Sequence, residues 1–357
     1  MGLQQIFEMR VPMHAAVSET VELARKVLGE SKASFVNALL RKVSARPLEE
    51  WLEPLANLGD EVSRLAIRYS HPEWIVSAYF DLLRDYEEVR LLLEANNTPA
   101  KPTFVTWPGR SDITEFAEWG ATPTTFSPYG FRADVTPSAL EAVRHRRAGV
   151  QDEGSQLVAS IFAQASADKS DWLDLCAGPG GKAALLSSIA SQGSHRFVAN
   201  EISQVRADLV GQVMGKGEVW VGDAREIASR GEKFDAILAD VPCTGMGALR
   251  RRPEVRWRRS LSDLRELGVL QREISDAAIS ILNVGGVFGY ATCSPHLAET
   301  TIAVADILKK HPELEQIDVQ PLMPQGLDGG VRDKSMALWT QRHNTDAMFL
   351  ALFRKTS

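Results

Sequence analysis

The sequence predicts an α/β protein in which a doubly wound, mainly parallel sheet follows a helical part and a small α+β module. A glycine-rich turn at 177–181 separates a short apolar run from a helical pattern, which is the order that opens a βαβ unit. Further apolar runs alternate with helical patterns towards the carboxyl terminus. Before about residue 100 the periodicity is helical, so the sheet is expected to begin after a helical part.

The amino-terminal part is predicted to consist of helices. In the segment 31–43 the residues Phe35, Ala38 and Leu39 recur at helical spacing, and His71-Pro72 breaks the pattern further on. The predicted helices are His14–Leu28, Ser31–Val43, Leu48–Leu58, Asp60–Tyr69, Glu73–Arg84 and Tyr86–Asn96. Since they carry no chemical motif, we interpret them as a packing or partner-binding module.

A small α+β module is predicted from Pro102 onward, where short strand and helix patterns alternate. The predicted elements are a strand at Thr103–Trp107, a helix at Asp112–Trp119, a strand pair within Thr124–Val135 and a short helix at Thr136–Leu140. The basic segment Arg144–Arg147 follows them. Its positive charges are equally compatible with two interpretations: contact with nucleic-acid phosphates, or an ordinary solvated surface.

Acidic residues stand at the carboxyl ends of four predicted strands. The first strand, at 172–174, reaches Asp174 immediately before the glycine turn, and a helix over 182–190 comes after the turn. The next three apolar runs, at 197–199, 219–221 and 236–239, lead to Glu201, Asp223 and Asp240. Because open α/β sheets bind their ligands at this edge, the acids and the glycine turn predict a ligand site there.

The character of these residues favours a cofactor rich in hydroxyl and amino groups. Glu201 follows the turn by about 20 residues, where a ribose hydroxyl is usually held. The lysine–serine or lysine–threonine pair of ATP and GTP sites does not follow the glycines. S-adenosylmethionine is therefore the candidate cofactor, and the sheet is predicted to be the Rossmann-like sheet of a class I S-adenosylmethionine-dependent methyltransferase.

The rest of the chain is predicted to extend this sheet. A long helix over 261–282 precedes a strand at 287–292, and a helix over 298–310 follows. The last strand, at 347–353, is expected at the edge of the sheet.

Composition and cysteine content exclude several classes of protein. With 357 residues, of which 44% are hydrophobic, the chain is long enough for two or three domains with sizeable cores. It shows neither a signal-peptide pattern nor an apolar run that could span a membrane. Cys176, Cys243 and Cys293 are far apart and odd in number, which argues against a metal motif and a disulfide framework. We therefore expect a cytoplasmic monomer with reduced thiols, no metal and no membrane contact.

Two cysteines lie where chemistry is expected. Cys243 and Cys293 each follow the carboxyl end of a predicted strand, at the same edge as the glycine turn. A thiolate that adds to carbon 6 of cytosine makes the ring an enamine, which can accept a methyl group at carbon 5. A base must then remove the carbon-5 proton, and an acid such as Asp240 can hydrogen-bond to the ring. Cys176 belongs to the glycine turn, where a packing role is favoured.

Together, four motifs resemble the NOP/Sun family of RNA cytosine-5 methyltransferases. They are Asp174-Leu-Cys-Ala-Gly-Pro-Gly-Gly-Lys182, Asp240-Val-Pro-Cys243-Thr-Gly-Met-Gly247, Arg251-Arg-Pro-Glu254 and Thr292-Cys-Ser294, with flanking motifs at 150–153 and 345–349. The resemblance extends from about Lys101 to the carboxyl terminus, and it implies that Cys293 is the nucleophile and that Cys243 releases the product. The cofactor-binding residues that it implies are Cys176, Ala177, Gly178, Pro179, Gly180, Gly181, Lys182, Glu201, Asp223 and Asp240.

The amino-terminal helices resemble the latter part of a NusB-like RNA-binding domain. The segments 7–20 and 34–42 carry this resemblance, and the early helices of such a domain are missing. A NusB-like domain precedes the catalytic part in the Sun/Fmu (RsmB-like) 16S ribosomal RNA branch, so ribosomal RNA is the implied partner. We expect a truncated NusB-like domain at 1–50, a helical linker with a small α+β RNA-binding module at 51–148, and a methyltransferase catalytic domain at 149–357.

The predicted function is the methylation of carbon 5 of an unpaired or flipped cytidine in 16S ribosomal RNA. Arginines that closely follow Cys243, namely Arg251, Arg252 and Arg256, are predicted to contact RNA phosphates. Trp257 and Tyr290 are expected to pack in the core. Two alternatives stay open: the same chemistry on transfer RNA, and a non-catalytic RNA-binding ribosome-assembly factor on a methyltransferase scaffold.

Overall fold

A computed structural model describes residues 1–9, 11–55, 59–215 and 217–357 of the protein. The chain divides into two units, Met1–Glu73 and Trp74–Ser357. Over the described ranges, no helix is both long and apolar enough to cross a membrane. In those same ranges, no group of three or more histidine, cysteine, aspartate or glutamate side chains is placed to hold a metal ion.

Helices make up the described part of the first unit. They are α1 (Gly2–Phe7), α2 (Met13–Leu28), α3 (Glu30–Ser44), α4 (Leu48–Leu52) and α5 (Glu61–Arg68). Small and aliphatic side chains of α2 and α3 form a core of Val21, Ala24, Ala33 and Leu40. The helix predicted over 48–58 ends at Leu52, because Pro54 has no amide hydrogen for the next turn. Residues 56–58 of that prediction lie outside the described residues.

The helices α6 (Glu73–Leu83) and α7 (Tyr86–Asn97) lead into a small antiparallel sheet with the strand order β2-β3-β1-β4. Its strands are β1 (Phe104–Thr106), β2 (Thr122–Pro123), β3 (Gly130–Arg132) and β4 (Ala148–Val150), and the short helix α8 (Glu141–Arg144) precedes the last of them. The strand pair predicted within 124–135 is wrong, since only β3 lies in that range. The Glu153 carboxylate accepts the N–H groups of Phe126 and Ser127, which a strand ladder would otherwise use.

The main sheet contains the remaining strands. They are β5 (Asp171–Asp174), β6 (Arg196–Glu201), β7 (Glu218–Val221), β8 (Phe234–Asp240), β9 (Leu282–Thr292), β10 (Leu314–Ile317), β11 (Val331–Arg332), β12 (Ser335–Ala337) and β13 (Phe349–Lys355). Their order is β11-β12-β13-β9-β8-β5-β6-β7, and β10 pairs with β13. The pairs among β5 to β9 are parallel, whereas every pair that involves β10 to β13 is antiparallel.

Helices alternate with the strands of this sheet, and the longer ones cover both of its faces. The helices of this part of the chain are α9 (Glu153–Ala165), α10 (Gly181–Gly193), α11 (Gln204–Met214), α12 (Val255–Arg258), α13 (Leu261–Ser280), α14 (Thr301–Lys310) and α15 (Thr340–His343). The apolar residues of α9, α10 and α11 pack on one face, and those of α13 and α14 pack on the other. Successive strand residues alternate between the two cores, as Trp172 and Leu173 do in β5. The predicted fold class is thereby confirmed.

The last strand lies inside the sheet and not at its edge, which corrects the prediction. β13 pairs with β9 on one side and with β12 and β10 on the other. Residues 349–353 of this strand are buried. The short strands β10 and β12 therefore pair with backbone groups of β13 that would be unpaired in an edge strand.

Candidate active site

The glycine turn joins β5 to α10 and is held against the end of β6. Gly180 has a φ of +113°, and a Cβ atom there would lie 2.7 Å from Val213 Cγ2, so the position requires glycine. The Ala177 N–H donates to the carbonyl oxygen of Asn200 at 2.9 Å, and the Gly178 N–H donates to Glu201 Oε2 at 3.0 Å. These two bonds bring the predicted cofactor residues of β5 and β6 together at one edge of the sheet.

A cavity of about 570 Å³ opens at this edge. Most of the predicted site residues line it: Cys176, Gly178, Pro179, Glu201, Asp223, Asp240, Cys243, Arg252 and Cys293. The other cofactor residues of the prediction belong to the turn itself and to the start of α10: Ala177, Gly180, Gly181 and Lys182. Burial raises the pKa of the Cys176 thiol well above its usual value, so this cysteine stays protonated.

The residues of the cavity fit S-adenosylmethionine in size and in chemistry. A volume of about 570 Å³ lies within the range of small-molecule sites. Asn200 lines the cavity, and among the described residues its buried Oδ1 atom has no hydrogen-bond partner, so an amino group of a ligand would find an acceptor there. Glu201 also accepts the Ser203 N–H, and because a carboxylate has about four acceptor positions it can still accept a ligand hydroxyl or amine. Asp223 is already bonded to the backbone N–H and the guanidinium group of Arg225.

An ion pair lies at the end of β8. Lys182 Nζ donates to Asp240 Oδ2 at 2.8 Å. Burial opposes the charge of Lys182, but the nearby carboxylate of Asp240 outweighs it and raises the lysine pKa. Burial, together with the negative charge of Asp240, raises the pKa of Asp174 to about 7. The site thus pairs a buried lysine with Asp240, close to the buried carboxyl group of Asp174.

The two predicted catalytic cysteines meet at the cavity. The Sγ atoms of Cys243 and Cys293 are 3.3 Å apart, and both thiols are free and partly buried. The hydrogen bond to Cys293, with burial, raises the pKa of Cys243 well above its usual value. Either sulfur can be the donor of this contact, and the raised pKa of Cys243 favours its protonated form.

A buried polar cluster stands behind the cysteines, and the sequence did not predict it. The Glu299 carboxylate is fully buried and accepts hydrogen bonds from Thr244 and Gln271. Tyr290, which was expected in the core, is buried and donates to the carbonyl oxygen of Glu299 at 3.0 Å. Glu299 follows Cys293 by only six residues. An acid so close to a predicted catalytic cysteine was a signal for a role near the site, although not for its burial.

The predicted RNA-binding arginines have different surroundings. Arg251 pairs with Asp152 and Asp346. Arg256 is buried and donates to Asn97 Oδ1 at 2.7 Å. The side chain of Arg252 is 69% exposed and lines the cavity. Of the three, Arg252 is the one whose position best suits a phosphate contact, and RNA binding by all three stays a prediction.

Two further predictions concern residues that do not line the cavity. The aromatic ring of Trp257 was expected in the core, but the residue is 63% exposed. The short helix α12 carries it away from both sheet cores. In the basic segment 144–147, Arg144 donates to the carbonyl oxygen of Ser138 and Arg147 pairs with Glu115. These partners satisfy part of the positive charge of that segment.

Comparison with known proteins identifies the family. The model of the family described as 16S rRNA methyltransferase RsmB/F matches residues 161–354, and the NusB family model matches residues 1–45. The putative methyltransferase Rv1407 of Mycobacterium tuberculosis is 42% identical to this chain, over 99% of this chain and 79% of the relative. Ribosomal RNA small subunit methyltransferase B of Vibrio cholerae is 32% identical, over 90% of this chain and 75% of the relative.

Solved structures show the same fold. PH0851 superposes with a TM-score of 0.81 at 22% identity, over 99% of this chain and 80% of that one. NSun6 from Pyrococcus horikoshii with SFG gives a TM-score of 0.67 at 18% identity, over 80% and 98% of the two chains. Identities this low support the fold alone, whereas the family model covers more than half of the chain. The predicted resemblance is thereby confirmed, and the chain belongs to the RsmB/F family of 16S rRNA methyltransferases, with a NusB-family segment at its amino terminus.

Proposed function

We propose that the protein methylates carbon 5 of a cytidine in 16S ribosomal RNA through a covalent adduct with Cys293. The single observation that carries this proposal is the contact of the Cys243 and Cys293 sulfur atoms, 3.3 Å apart, in the wall of the cavity that the glycine turn also lines. Two thiols in contact allow one to attack while the other keeps its proton. The family membership and the names of the relatives support ribosomal RNA as the substrate.

In the first step, the Cys293 thiolate forms a bond to carbon 6 of the cytosine, and the electron pair of the ring double bond moves towards carbon 5. The Lys182 ammonium group lies close enough to Cys293 for the cysteine's charge to raise the lysine pKa. Asp240 holds this ammonium group at 2.8 Å and has a second oxygen that can hydrogen-bond to the edge of the base.

S-adenosylmethionine, when it is bound, supplies the methyl group that the activated carbon 5 takes up. Cys176 and the glycine turn form the wall of the cavity on the cofactor side, Asn200 and Glu201 supply acceptors for the polar groups of the cofactor, and Asp223 lines the same cavity. The ring must have its face free for this reaction, so the target is an unpaired or flipped cytidine.

Release of the product uses the second cysteine. Once Cys293 is bound to carbon, it no longer takes part in the thiol hydrogen bond, which is the largest of the causes that raise the pKa of Cys243. Cys243 can then lose its own proton to solvent and take up the proton from carbon 5. The electrons of that C–H bond restore the ring double bond, and the bond to Cys293 breaks so that the sulfur leaves as a thiolate.

The test is transfer of labelled methyl groups from S-adenosylmethionine to unmodified 16S ribosomal RNA, with transfer RNA as the comparison substrate. We expect label in the 16S RNA, and after digestion to nucleosides we expect it in 5-methylcytidine. Label in transfer RNA alone would overturn the substrate. Label in any other nucleoside would overturn the chemistry, and binding of RNA without any transfer would favour an assembly factor.

A further inference from the structure

The buried carboxylate of Glu299 connects the two loops that carry the cysteines. Its Oε1 atom accepts the backbone N–H of Thr244 at 2.8 Å, and its Oε2 atom accepts the Thr244 hydroxyl at 2.5 Å. Thr244 is the residue directly after Cys243. Glu299 itself lies on the segment that follows Cys293, so a single side chain holds one cysteine loop against the other.

Gln271 of α13 extends this connection to the other side of Cys243. Its Nε2 atom donates both to Glu299 Oε1 at 3.0 Å and to the carbonyl oxygen of Pro242 at 2.9 Å. Both neighbours of Cys243, Pro242 and Thr244, are therefore tied to the same cluster. On the second loop, Ser294 Oγ lies 3.2 Å from Thr244 Oγ1. The residues that flank the sulfur contact are thus fixed by Glu299 and its partners.

The charge of Glu299 is unusual for a purely structural group. The side chain is fully buried, and none of the ion pairs found among the described residues involves it. A buried carboxylate without a cation is unfavourable unless hydrogen bonds compensate for the lost water. The negative charge is also among the smaller causes that raise the pKa of Cys243.

We propose that Glu299 is a positioning residue that holds the Cys243 loop in register against Cys293 and determines which of the two cysteines attacks the base. This inference rests on the proposed function and adds to it a cause for the division of roles. Glu299 lies behind both loops and acts only through Thr244 and Gln271. A glutamine would keep its shape, but it would remove the negative charge that three donor groups share, and its NH2 group in place of Oε2 would make the Thr244 hydroxyl turn to accept.

The first experiment needs neither substrate nor activity. The alkylation rates of the two cysteines with iodoacetamide are measured by mass spectrometry in the parent and in Glu299→Gln, with Glu313→Gln as a control. Glu313 is a partly exposed acid in the same unit, paired with His311. In the parent we expect Cys293 to react faster than Cys243, and in Glu299→Gln we expect this ratio to fall about tenfold, which corresponds to the loss of one hydrogen bond to a charged group. An unchanged ratio in a folded Glu299→Gln protein would overturn the inference.

The second experiment uses RNA that contains 5-fluorocytidine, in which no carbon-5 proton can be removed and the adduct persists. In the parent the adduct is expected on Cys293 alone, and in Glu299→Gln it is expected on both cysteines. Adducts confined to Cys293 in the variant, with only a lower melting temperature, would reduce Glu299 to a structural role and overturn the proposal. No adduct in the parent would instead overturn the proposed function, whereas the alkylation ratio would still decide the role of Glu299.

A milder variant covers the case in which Glu299→Gln does not fold. Thr244→Val keeps the size of the side chain and the backbone donor, but it removes the hydroxyl that Glu299 Oε2 accepts. We expect a change in the alkylation ratio in the same direction and of smaller size. A parent-like ratio in Thr244→Val would count against the inference.

Discussion

Replacement of Asp174 by asparagine is expected to shift the free energy of unfolding, relative to that of the parent, in favour of the variant as the pH rises. Asp174 ends β5 with only 1% of its surface exposed. Burial and the charge of Asp240 raise its pKa from 3.8 to about 7. The folded protein therefore keeps a neutral carboxyl group over a pH range in which the unfolded chain has already ionised.

The size of the effect follows from this difference in proton binding. Between about pH 4 and pH 7 the unfolded state binds fewer protons than the folded state, so stability falls as the pH rises. The pKa difference between 3.8 and about 7 corresponds to a total loss of about 4 kcal/mol. Asparagine cannot ionise, and the variant escapes this loss.

Urea unfolding of the parent and of Asp174→Asn at pH 5 and pH 8 measures the effect. About 3 kcal/mol of the parent's total loss of stability falls between these two pH values. Asp208→Asn, which changes an exposed aspartate on α11, is the control and should show no such pH dependence. A free-energy difference between variant and parent that is the same at both pH values would refute the reasoning.

Three further substitutions test separate parts of the site. Gly247→Ala would place a Cβ atom 2.8 Å from the carbonyl oxygen of Cys293 and closer still to that of Ala347. We expect the free energy of unfolding in urea to fall by about 1–3 kcal/mol. An unchanged unfolding midpoint would contradict this expectation. Lys182→Met leaves Asp240 without its cation. We expect the rate of methyl transfer to fall about 10- to 100-fold while RNA binding is retained. A parent-like rate would exclude a role for the ion pair. Arg252→Ala is expected to weaken RNA binding and to lower, by about 0.7, the slope of the logarithm of the binding constant against the logarithm of the salt concentration. Arg258→Ala, at an exposed position, serves as the control. Equal slopes in the two variants would show that Arg252 is not part of the interface.

The placement of the site could be predicted from the sequence because it depends on local patterns. Short apolar runs that end in Asp174, Glu201 and Asp240 predicted parallel strands, and parallel strands present their carboxyl ends at one edge. The same rule predicted that Cys243 and Cys293 lie at that edge. Their separation of 3.3 Å did not follow from the rule, because it depends on hydrogen bonds between loops that are distant in the sequence.

The features that sequence patterns missed depend on tertiary contacts. Glu299 has no local signal of burial, since its partners Thr244 and Gln271 come from other elements. The strand pair within 124–135 failed because Glu153, from α9, takes the N–H groups of that segment. α9 itself shows helical spacing of apolar residues and could have been predicted. The position of β13 inside the sheet follows from its pairing with β10 and β12, which local periodicity does not encode.

The central claim, that Cys293 attacks and Cys243 releases, is tested most directly by covalent trapping with ordinary 16S ribosomal RNA. Parent, Cys293→Ala and Cys243→Ala proteins are incubated with this RNA and S-adenosylmethionine and then separated on denaturing gels. We expect a protein–RNA adduct that accumulates in Cys243→Ala, because attack proceeds while release stalls, and no adduct in Cys293→Ala. An adduct in Cys293→Ala and none in Cys243→Ala would reverse the two roles and contradict the account.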